Sequence, residues 1–534
     1  MQLASYTGIV ARNIGGTTLH TASNLSSFSQ ANNVKSNTDL VAMWQGVDFL
    51  FIDEFSMIGC GLLYEISQAL SAAKENVTPF GGINIIFASD FAQLPPVGYR
   101  RRLYSQIEVR HAGKSKKKTA HEKDVISKIL WLSIRKVVIF KEVWRQKINH
   151  VGETAERADS NGQFLELLNR LREGKCTDDD YGLLCTRLAT NVNPNWASPD
   201  WSDTPMIISQ NETKDLLNNS AAITFAKRMG RKLHWYYAAD RHNGRLLEDV
   251  NLISHLRDLN SSVTNYCLGK LLLVIIMVAS NFDVENGIVN GCSGILKTVR
   301  FWVDDNGDRH TLSCVISSES IIGEPLPTLK LHEAVVLTDD KPIQFVHPMS
   351  KKKCTIRRMQ LPIMPAFAMT AHKSQGLTLQ RAFIDLESCK GSESPYVMIS
   401  RVKSLEGLII MRPFNKKRIC CRWSEDVCRE FACLRMLELL TLVEHGSDID
   451  VRSARDELTS KGLLNLIGQE YTDIDMENVN LLLLNLRQAE DDRLTELFDP
   501  PAAPYNLRKH RLLRDTDHFE DIGLRTKKAR LTRS

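Results

Sequence analysis

Two adjacent carboxylates, Asp53 and Glu54, end the apolar run Phe49–Ile52 in the stretch VDFLFIDEFSMIG. A short buried strand that delivers an Asp-Glu pair at its C-terminal tip suits magnesium binding and the activation of water in a nucleotide hydrolase. Such a pair at a strand end is as often mere solvated loop, so a second feature must decide. The stretch FGGINIIFASDFAQLPPV (Phe80–Val97) supplies it. Another apolar strand ends there in Ser89-Asp90, followed by Gln93 and Leu94-Pro95-Pro96. Proline is excluded from a central strand, so the chain must turn outward at the C-terminal edge of the sheet. That edge is where open α/β sheets bind ligands, and a glutamine placed there can sense a γ-phosphate or orient water.

Carboxylates of this kind usually have a companion, a G-x-x-x-x-G-K-[ST] loop that cradles phosphates. The motif occurs nowhere in the 534 residues. Gly113-Lys114-Ser115 imitates its end, but the first glycine would fall at Glu108 and no apolar strand leads in.

The elements that must position these groups alternate in type. VDFLFI, INIIFAS and VVIF (Val137–Phe140) read as buried strands between helical patterns, which predicts an α/β layer with a parallel sheet. GKSKKKTAHEK (Gly113–Lys123) reads as a solvated, mobile basic loop. Residues 164–188 read as two helices, the first stopping at Gly174 and the second capped by Thr177 with Asp180 at its third position. MIISQN and GKLLLVIIMVASNF return to strand character, and VRFWVDDNGDRHTLSCVI predicts a hairpin turning at Asn306-Gly307. That hairpin points to a small all-β insert. Past Phe414, a helical stripe at Val427, Phe431, Leu434 and Leu437 and a second helix in VNLLLLNLRQAEDDRLTELF precede a tail after Pro500 that reads as disordered.

Bulk properties exclude several classes. The net charge of +5 resides in the last 31 residues, Pro504–Ser534, and the rest of the chain is neutral, so charge alone does not announce a nucleic-acid binder. Met1–Gly15 has no apolar h-region, and the longest apolar run, Leu271–Val278, is far short of the roughly 20 residues that span a bilayer. Twelve cysteines lack paired spacing, which predicts a reducing compartment. Cys420, Cys421, Cys428 and Cys433 read as reduced helical residues in preference to a zinc site.

Seven segments in order carry a resemblance to a known family. TGIVARNIGGTTLH (Thr7–His20), FIDEFSMIG, SDFAQLPPV, LWLSIRKVVIFKEVWRQ (Leu130–Gln146), NFDVENGIVNGCSGIL, TAHKSQGLTL (Thr370–Leu379) and YVMISRV (Tyr396–Val402) resemble the motifs of the Pif-type (petite integration frequency) DNA helicases of superfamily 1. The resemblance is particularly to the forms encoded by Helitron-like elements, and Ser89 stands where the family usually has glycine. The resemblance implies two RecA-like parallel-sheet domains with a small β-barrel insert and a helical C-terminal extension. Its domains would be 1–148 (with a wedge insert at about 21–46), 149–297 with 361–414, the barrel 298–360, the helical part 415–500 and the basic tail 501–534.

The family's roles fall on named positions. Asp53 and Glu54 would hold Mg2+, Gln93 would sense the γ-phosphate, and Arg145 and Arg401 would neutralise its charge, Arg401 after the strand YVMIS. Gln375 and Gly376 would contact ATP. Thr7, Gly8, Asn13, Thr18 and His20 on one domain would meet single-stranded DNA, with Thr370, His372, Lys373 and Ser374 on the other. Small polar groups of this kind bind phosphates without a large net charge.

The implied protein is a monomeric, nuclear and in part mitochondrial ATP-dependent helicase. It would translocate 5′ to 3′ on single strands, junctions and forks, outside any membrane, in repair, recombination or telomere maintenance. In the family the phosphate loop lies just ahead of the segment that opens this chain. The sequence therefore reads as a helicase without that loop and without a central strand beside that of Asp53. The alternative is a non-hydrolysing remnant that binds single-stranded DNA. TKKAR (Thr526–Arg530) reads as solvated charge or an import signal.

Overall fold

The computed structural model describes residues 1–23, 40–97, 101–106, 117–146, 155–195, 198, 201, 204–230, 232–264, 266–272 and 275–460. The expected wedge at about 21–46 lies mostly outside them, as do the second C-terminal helix, the tail and its TKKAR run.

The first sheet is parallel throughout and has the order β2-β1-β3-β4, from β1 (Gln2–Ser5), β2 (Thr17–Thr18), β3 (Phe49–Asp53) and β4 (Asn84–Ala88). This corrects the expectation of a vacancy beside the Asp53 strand. β3 is paired along both edges, with Leu3 opposite Phe51 on one side and Ile86 opposite Phe51 on the other. The outer edge falls instead to β4, where Ile86 is 42% exposed. Between β1 and β4 the chain adds the short helix α1 (Gly8–Asn13) and α2 (Cys60–Ala73), whose Leu62, Leu63, Ile66, Ala69 and Leu70 face the sheet at helical spacing.

Two expectations after β4 fail. From Lys117 the basic stretch is helix α3 (Lys117–Leu132), not loop. VVIF forms no strand, and Val138 is 72% and Phe140 90% exposed. β-branched residues make a strand only where a neighbouring edge pairs with them. Here the Val137 N–H donates instead to Thr441 Oγ1 at 3.0 Å.

The next helices, α4 (Ala155–Arg172) and α5 (Asp178–Cys185), stop and start as expected. Gly174 has φ +68°, and Thr177 and Asp180 form a reciprocal capping box. They cover a second parallel sheet of order β17-β5-β18-β19, from β5 (Met206–Ile208), β17 (Ala368–Thr370), β18 (Ala382–Ile384) and β19 (Leu408–Ile410). Helix α6 (Asn211–Arg228) follows β5. Between β5 and β17 come β6 (Trp235–Tyr237), β7 (Ala239–His242), β8 (Arg245–Leu246), β9 (Lys270–Leu272), β10 (Ile275–Val278), β11 (Ser293–Val303), β12 (Arg309–Ser317), β13 (Glu333–Leu337), β14 (Asp339–Val346), β15 (Lys353–Gln360) and β16 (Ile363–Pro365). Most of these pair antiparallel, in one seven-stranded sheet and one four-stranded sheet. The hairpin β11–β12 pairs Val303 with Arg309 around Gly307 at φ +80°, while Asp304 Oδ1 accepts the Asn306 and Asp308 N–H groups. The fold is thus α/β, with two RecA-like parallel sheets, a near-barrel β part and helices.

YVMIS is helical, not a strand: α7 spans Glu393–Ile399 and buries Val397, Met398 and Ile399. Burial on every side, which the apolar run requires, is met by a helix wedged between layers as well as by a strand. Helix α8 (Glu425–His445) then returns to the first sheet. Trp423 and Val427 join its core, and Trp131 Nε1 donates to buried Glu430 Oε1 at 2.9 Å. Helix α9 (Asp448–Ser460) packs on α8, with Arg435 bonded to Glu457. Among the described residues no helix is long and apolar enough to cross a membrane.

Candidate functional site

The C-terminal edge of the first sheet faces residues of the second. At the tip of β3, Glu54 turns sharply into a 3-10 turn with φ 56° and ψ 41°. A non-glycine residue in this left-handed region costs about 1 kcal/mol, so the surroundings must hold it. Asp53 Oδ1 does so by accepting the Glu54 N–H at 2.7 Å. The Glu54 carboxylate is 8% exposed and accepts a hydrogen bond from Gln375 Nε2 at 2.7 Å, across 321 residues of sequence. Arg401 is 2% exposed, and its Nε and Nη2 donate to Val397 O and Ser400 Oγ. Arg145 donates through Nε to Thr378 Oγ1 and through Nη1 to Ser400 O, while Gln146 Nε2 reaches Ser400 O and Val402 O. Both arginines therefore rest on the turn after α7.

Burial sets the electrostatics. It pushes the Glu54 carboxyl up; Gln375 and Arg401 pull the other way, and Asp53 and Asp90 add to the rise. Burial likewise raises Asp53 against the pull of the Glu54 N–H. Burial, then the neighbouring Arg145, brings Arg401 down to about 10. The desolvated Glu54 carboxylate interacts with the desolvated guanidiniums of Arg401 and Arg145 where the two sheets meet, a setting in which charges interact more strongly than in water.

The loop after β4 joins the two domains more closely than its sequence suggests. Ser56 N donates to Ser89 Oγ and Ser56 Oγ to Leu94 O, both at 3.2 Å, which ties the loop to the turn after Glu54. The Leu94 side chain, 3% exposed, packs with Phe164, Leu167, Leu168 and Leu171 of α4, in the core of the second sheet. Arg172 Nε and Nη2 bond both oxygens of Asp90, at 2.8 and 3.1 Å. Gln93 Oε1 is buried and without a hydrogen-bond partner. Tyr396 lies between these groups, its hydroxyl pushed up to about 12 by burial and then by Asp90. Arg172, Ser56, Leu94 and Tyr396 escape a reading of the sequence. Arg172 ends an unremarkable amphipathic helix, and only the tertiary structure brings it to Asp90.

The residues expected to touch DNA form two neighbouring groups. Thr7 caps α1, accepting the Val10 N–H, and Thr18 accepts the Thr21 N–H, so both hydroxyls serve local structure. Asn13 and His20 are exposed, and the His20 ring meets Tyr6 edge-on at 6.1 Å. Gly8 is close-packed: a Cβ there would sit 2.5 Å from Asn281 Oδ1. Gly376, at φ +82°, would bring a Cβ to 2.6 Å from Val10, so α1 abuts the turn that carries Gln375. Thr370 Oγ1 is buried and unpartnered, Ser374 Oγ bonds Ala371 O, and His372 is exposed. The Lys373 ammonium bonds Asn290 Oδ1. All twelve cysteines are free, and among the described residues no cluster of three or more His, Cys, Asp or Glu is arranged for a metal ion.

Comparison with known proteins agrees with this geometry. Residues 1–182 match the family model for the PIF1-like helicase. The ATP-dependent DNA helicase PIF1 of Xenopus laevis is 26% identical over 424 residues, covering 76% of this chain and 53% of that protein. The Rattus norvegicus PIF1 helicase is 26% identical over 466 residues, covering 86% and 60%. The chain thus spans between half and three-fifths of the length of these curated relatives. Among solved structures, the Candida albicans Pif1 helicase superposes with a TM-score of 0.53 at 22% identity, over 80% of this chain and 87% of that one. The Bacteroides Pif1 helicase in complex with ADP-AlF3 and single-stranded DNA gives 0.54 at 20% identity, over 80% and 86%. The chain is thus similar to the PIF1-like helicases in sequence, most directly over residues 1–182, and to solved Pif1 helicases in fold.

Proposed function

We propose that this chain forms the motor of an ATP-dependent DNA helicase, with ATP between the two parallel sheets and single-stranded DNA across them. One observation carries the reading: Glu54 of the first sheet is bonded to Gln375 of the second and shares its cleft with Arg145 and Arg401. Glu54 takes up the proton of the attacking water, a role that its raised pKa favours. Arg401 and Arg145 balance the charge that grows on the departing phosphate, a contribution worth about 10³ or more in rate. Gln93, whose unsatisfied oxygen is free to accept from the attacking water while its amide N–H groups donate to the terminal phosphate, reports through Asp90–Arg172 and Leu94 to the second domain.

Magnesium fits this donor set, since the ion is commonly held by one or two carboxylates with phosphate oxygens and waters. Asp53 and Glu54 would hold it, and their unmet burial cost is what a cation relieves. Bound there, the ion would supply charge neutralisation for the phosphate oxygens.

The relatives' names support a DNA substrate and ATP use, and the solved neighbours include two coordinating Pif1 helicases that unwind forked double-stranded DNA. Translocation from 5′ to 3′, action as a monomer at forks and junctions, a nuclear and mitochondrial setting and roles in repair, recombination or telomere maintenance rest on the family resemblance.

The test is ATP hydrolysis by the purified chain, with and without single-stranded DNA, beside Glu54→Gln. DNA-stimulated turnover that this substitution abolishes supports the motor. Absence of turnover with DNA binding intact would overturn it in favour of a single-strand binder.

A further inference from the structure

Resting on the single-strand reading above, the structure points to two residues outside the seven motifs, Lys214 and Tyr266, and to Asn290 within the fifth. Lys373 lies in a pocket of unusual composition. Its ammonium sits over the Tyr266 ring, 4.9 Å from the centroid, and bonds the neutral amide of Asn290. A second ammonium, that of Lys214 on α6, lies over the same ring at 5.2 Å. Lys214 is 1% exposed and fully engaged, with Ser261 Oγ at 2.7 Å and Asp215 Oδ1 at 2.9 Å. The Asp215 carboxylate is thereby committed to Lys214 and the Ser261 N–H. Positive charge is left in excess at Lys373, and the hydroxyl of Thr370, three residues earlier in the chain, is buried without a partner. Burial, with Lys214 and Lys341 beside it, brings the Lys373 ammonium down to about 8. A cation in that state has an unmet demand for an anion.

The same pocket joins the two halves of the expected DNA surface. Asn290 N–H donates to Asn281 Oδ1 at 2.9 Å, and Asn281 is the residue against which Gly8 of α1 packs. A continuous line runs from Gly8 through Asn281 and Asn290 to Lys373, and on through Tyr266 to Lys214. We propose that Tyr266, Lys214 and Asn290 are positioning residues that hold the Lys373 ammonium against one phosphodiester of a bound single strand. The aromatic face lets two like charges approach, since each cation is attracted to the electron-rich face of the ring. The buried Lys214 fixes the ring, and Asn290 fixes the ammonium without neutralising it.

The experiment is fluorescence-anisotropy titration of the full chain with a labelled oligothymidylate over a range of salt. Each phosphate neutralised on a single strand contributes about 0.7 to the slope of log K against log salt. Lys373→Ala is expected to lower that slope by about 0.7, and Tyr266→Leu by a similar amount with weaker binding. Tyr266→Phe keeps the ring and restores the wild-type slope. Tyr266→Leu added to Lys373→Ala should cost nothing more. If Tyr266→Leu does not fold, Asn290→Asp tests the same seat, because a carboxylate on the ammonium would displace the phosphate and lower the slope equally. A Tyr266→Leu protein with the wild-type slope, additive losses in the double variant, or an unchanged slope in Asn290→Asp would each overturn the proposal. Wild-type protein that does not bind the oligonucleotide would instead sink the single-strand reading itself.

Discussion

Gln375 Nε2 and Glu54 Oε2 stand 2.7 Å apart, and this bond joins the carboxylate tip of one parallel sheet to the turn that follows the edge strand β17 of the other. It is a charge-assisted bond in a buried setting, so it both holds the domains together and tunes the acid. Removing the donor leaves Glu54 buried with one fewer partner. Gln375→Leu should therefore raise the acidic limb of the pH–rate profile of DNA-stimulated ATP hydrolysis and lower its maximum by at least about tenfold. An unchanged profile would show that the bond forms only outside the working cycle.

Glu54 should also cost the fold stability. Its pKa is raised above the ordinary 4.5, so the folded state binds the proton more tightly than the unfolded chain. That favourable contribution is present at low pH and is lost as pH rises through the interval above 4.5. At neutral pH, Glu54→Gln removes a penalised charge while keeping an oxygen for Gln375. A higher melting temperature than wild type is expected at neutral pH, with the difference shrinking as the buffer is made acidic.

Asp90 and Arg172 form a two-pronged pair that spans the domains, beside the buried Leu94. Asp90→Asn and Arg172→Met should each destabilise, and a double-variant cycle in thermal melts should give a coupling of about 0.5 to 3 kcal/mol. A coupling near zero would mean that the loop after β4 is held by Leu94 and Ser56 alone.

Leu94→Ala leaves a cavity among Phe164, Leu167 and Leu168 and should cost about 2 to 5 kcal/mol. The signature that sets it apart from an ordinary core truncation is where amide exchange quickens. Protection should fall both in α4 and in the turn after Glu54, because the Leu94 carbonyl accepts from Ser56.

Helix α8 is secured to the first domain by the bond from Trp131 to Glu430. Trp131→Phe keeps the ring in its aromatic cluster but deletes the N–H, at a cost of about 1 to 3 kcal/mol for a buried carboxylate that loses a donor. Faster proteolysis within α8, with the second sheet unaffected, is the expected result.

Much of this architecture is written locally. Periodicity and apolar runs mark β3, β4 and α8; Gly174, the Thr177–Asp180 box and Asn306-Gly307 mark their own turns. These features depend on residues a few positions apart, so the sequence contains them whole. The carboxylates Asp53 and Glu54 are legible for the same reason, since a strand that stops at two acids needs no distant partner to be noticed.

What the sequence leaves open depends on residues far apart in the chain. The run VVIF has the propensity of a strand but no described edge to pair with, and YVMIS has the composition of one yet is wedged as a helix. β1 occupies the place beside β3 that the sequence appeared to leave vacant, because pairing follows register and not motif order. The partners of the expected site residues are likewise distant: Arg172 for Asp90, Gln375 for Glu54, Tyr266 and Asn290 for Lys373. The types and order of the chemical groups are fixed by the sequence alone. Which carboxylate meets which cation, and how deeply each is buried, is decided by the packing of two sheets against each other.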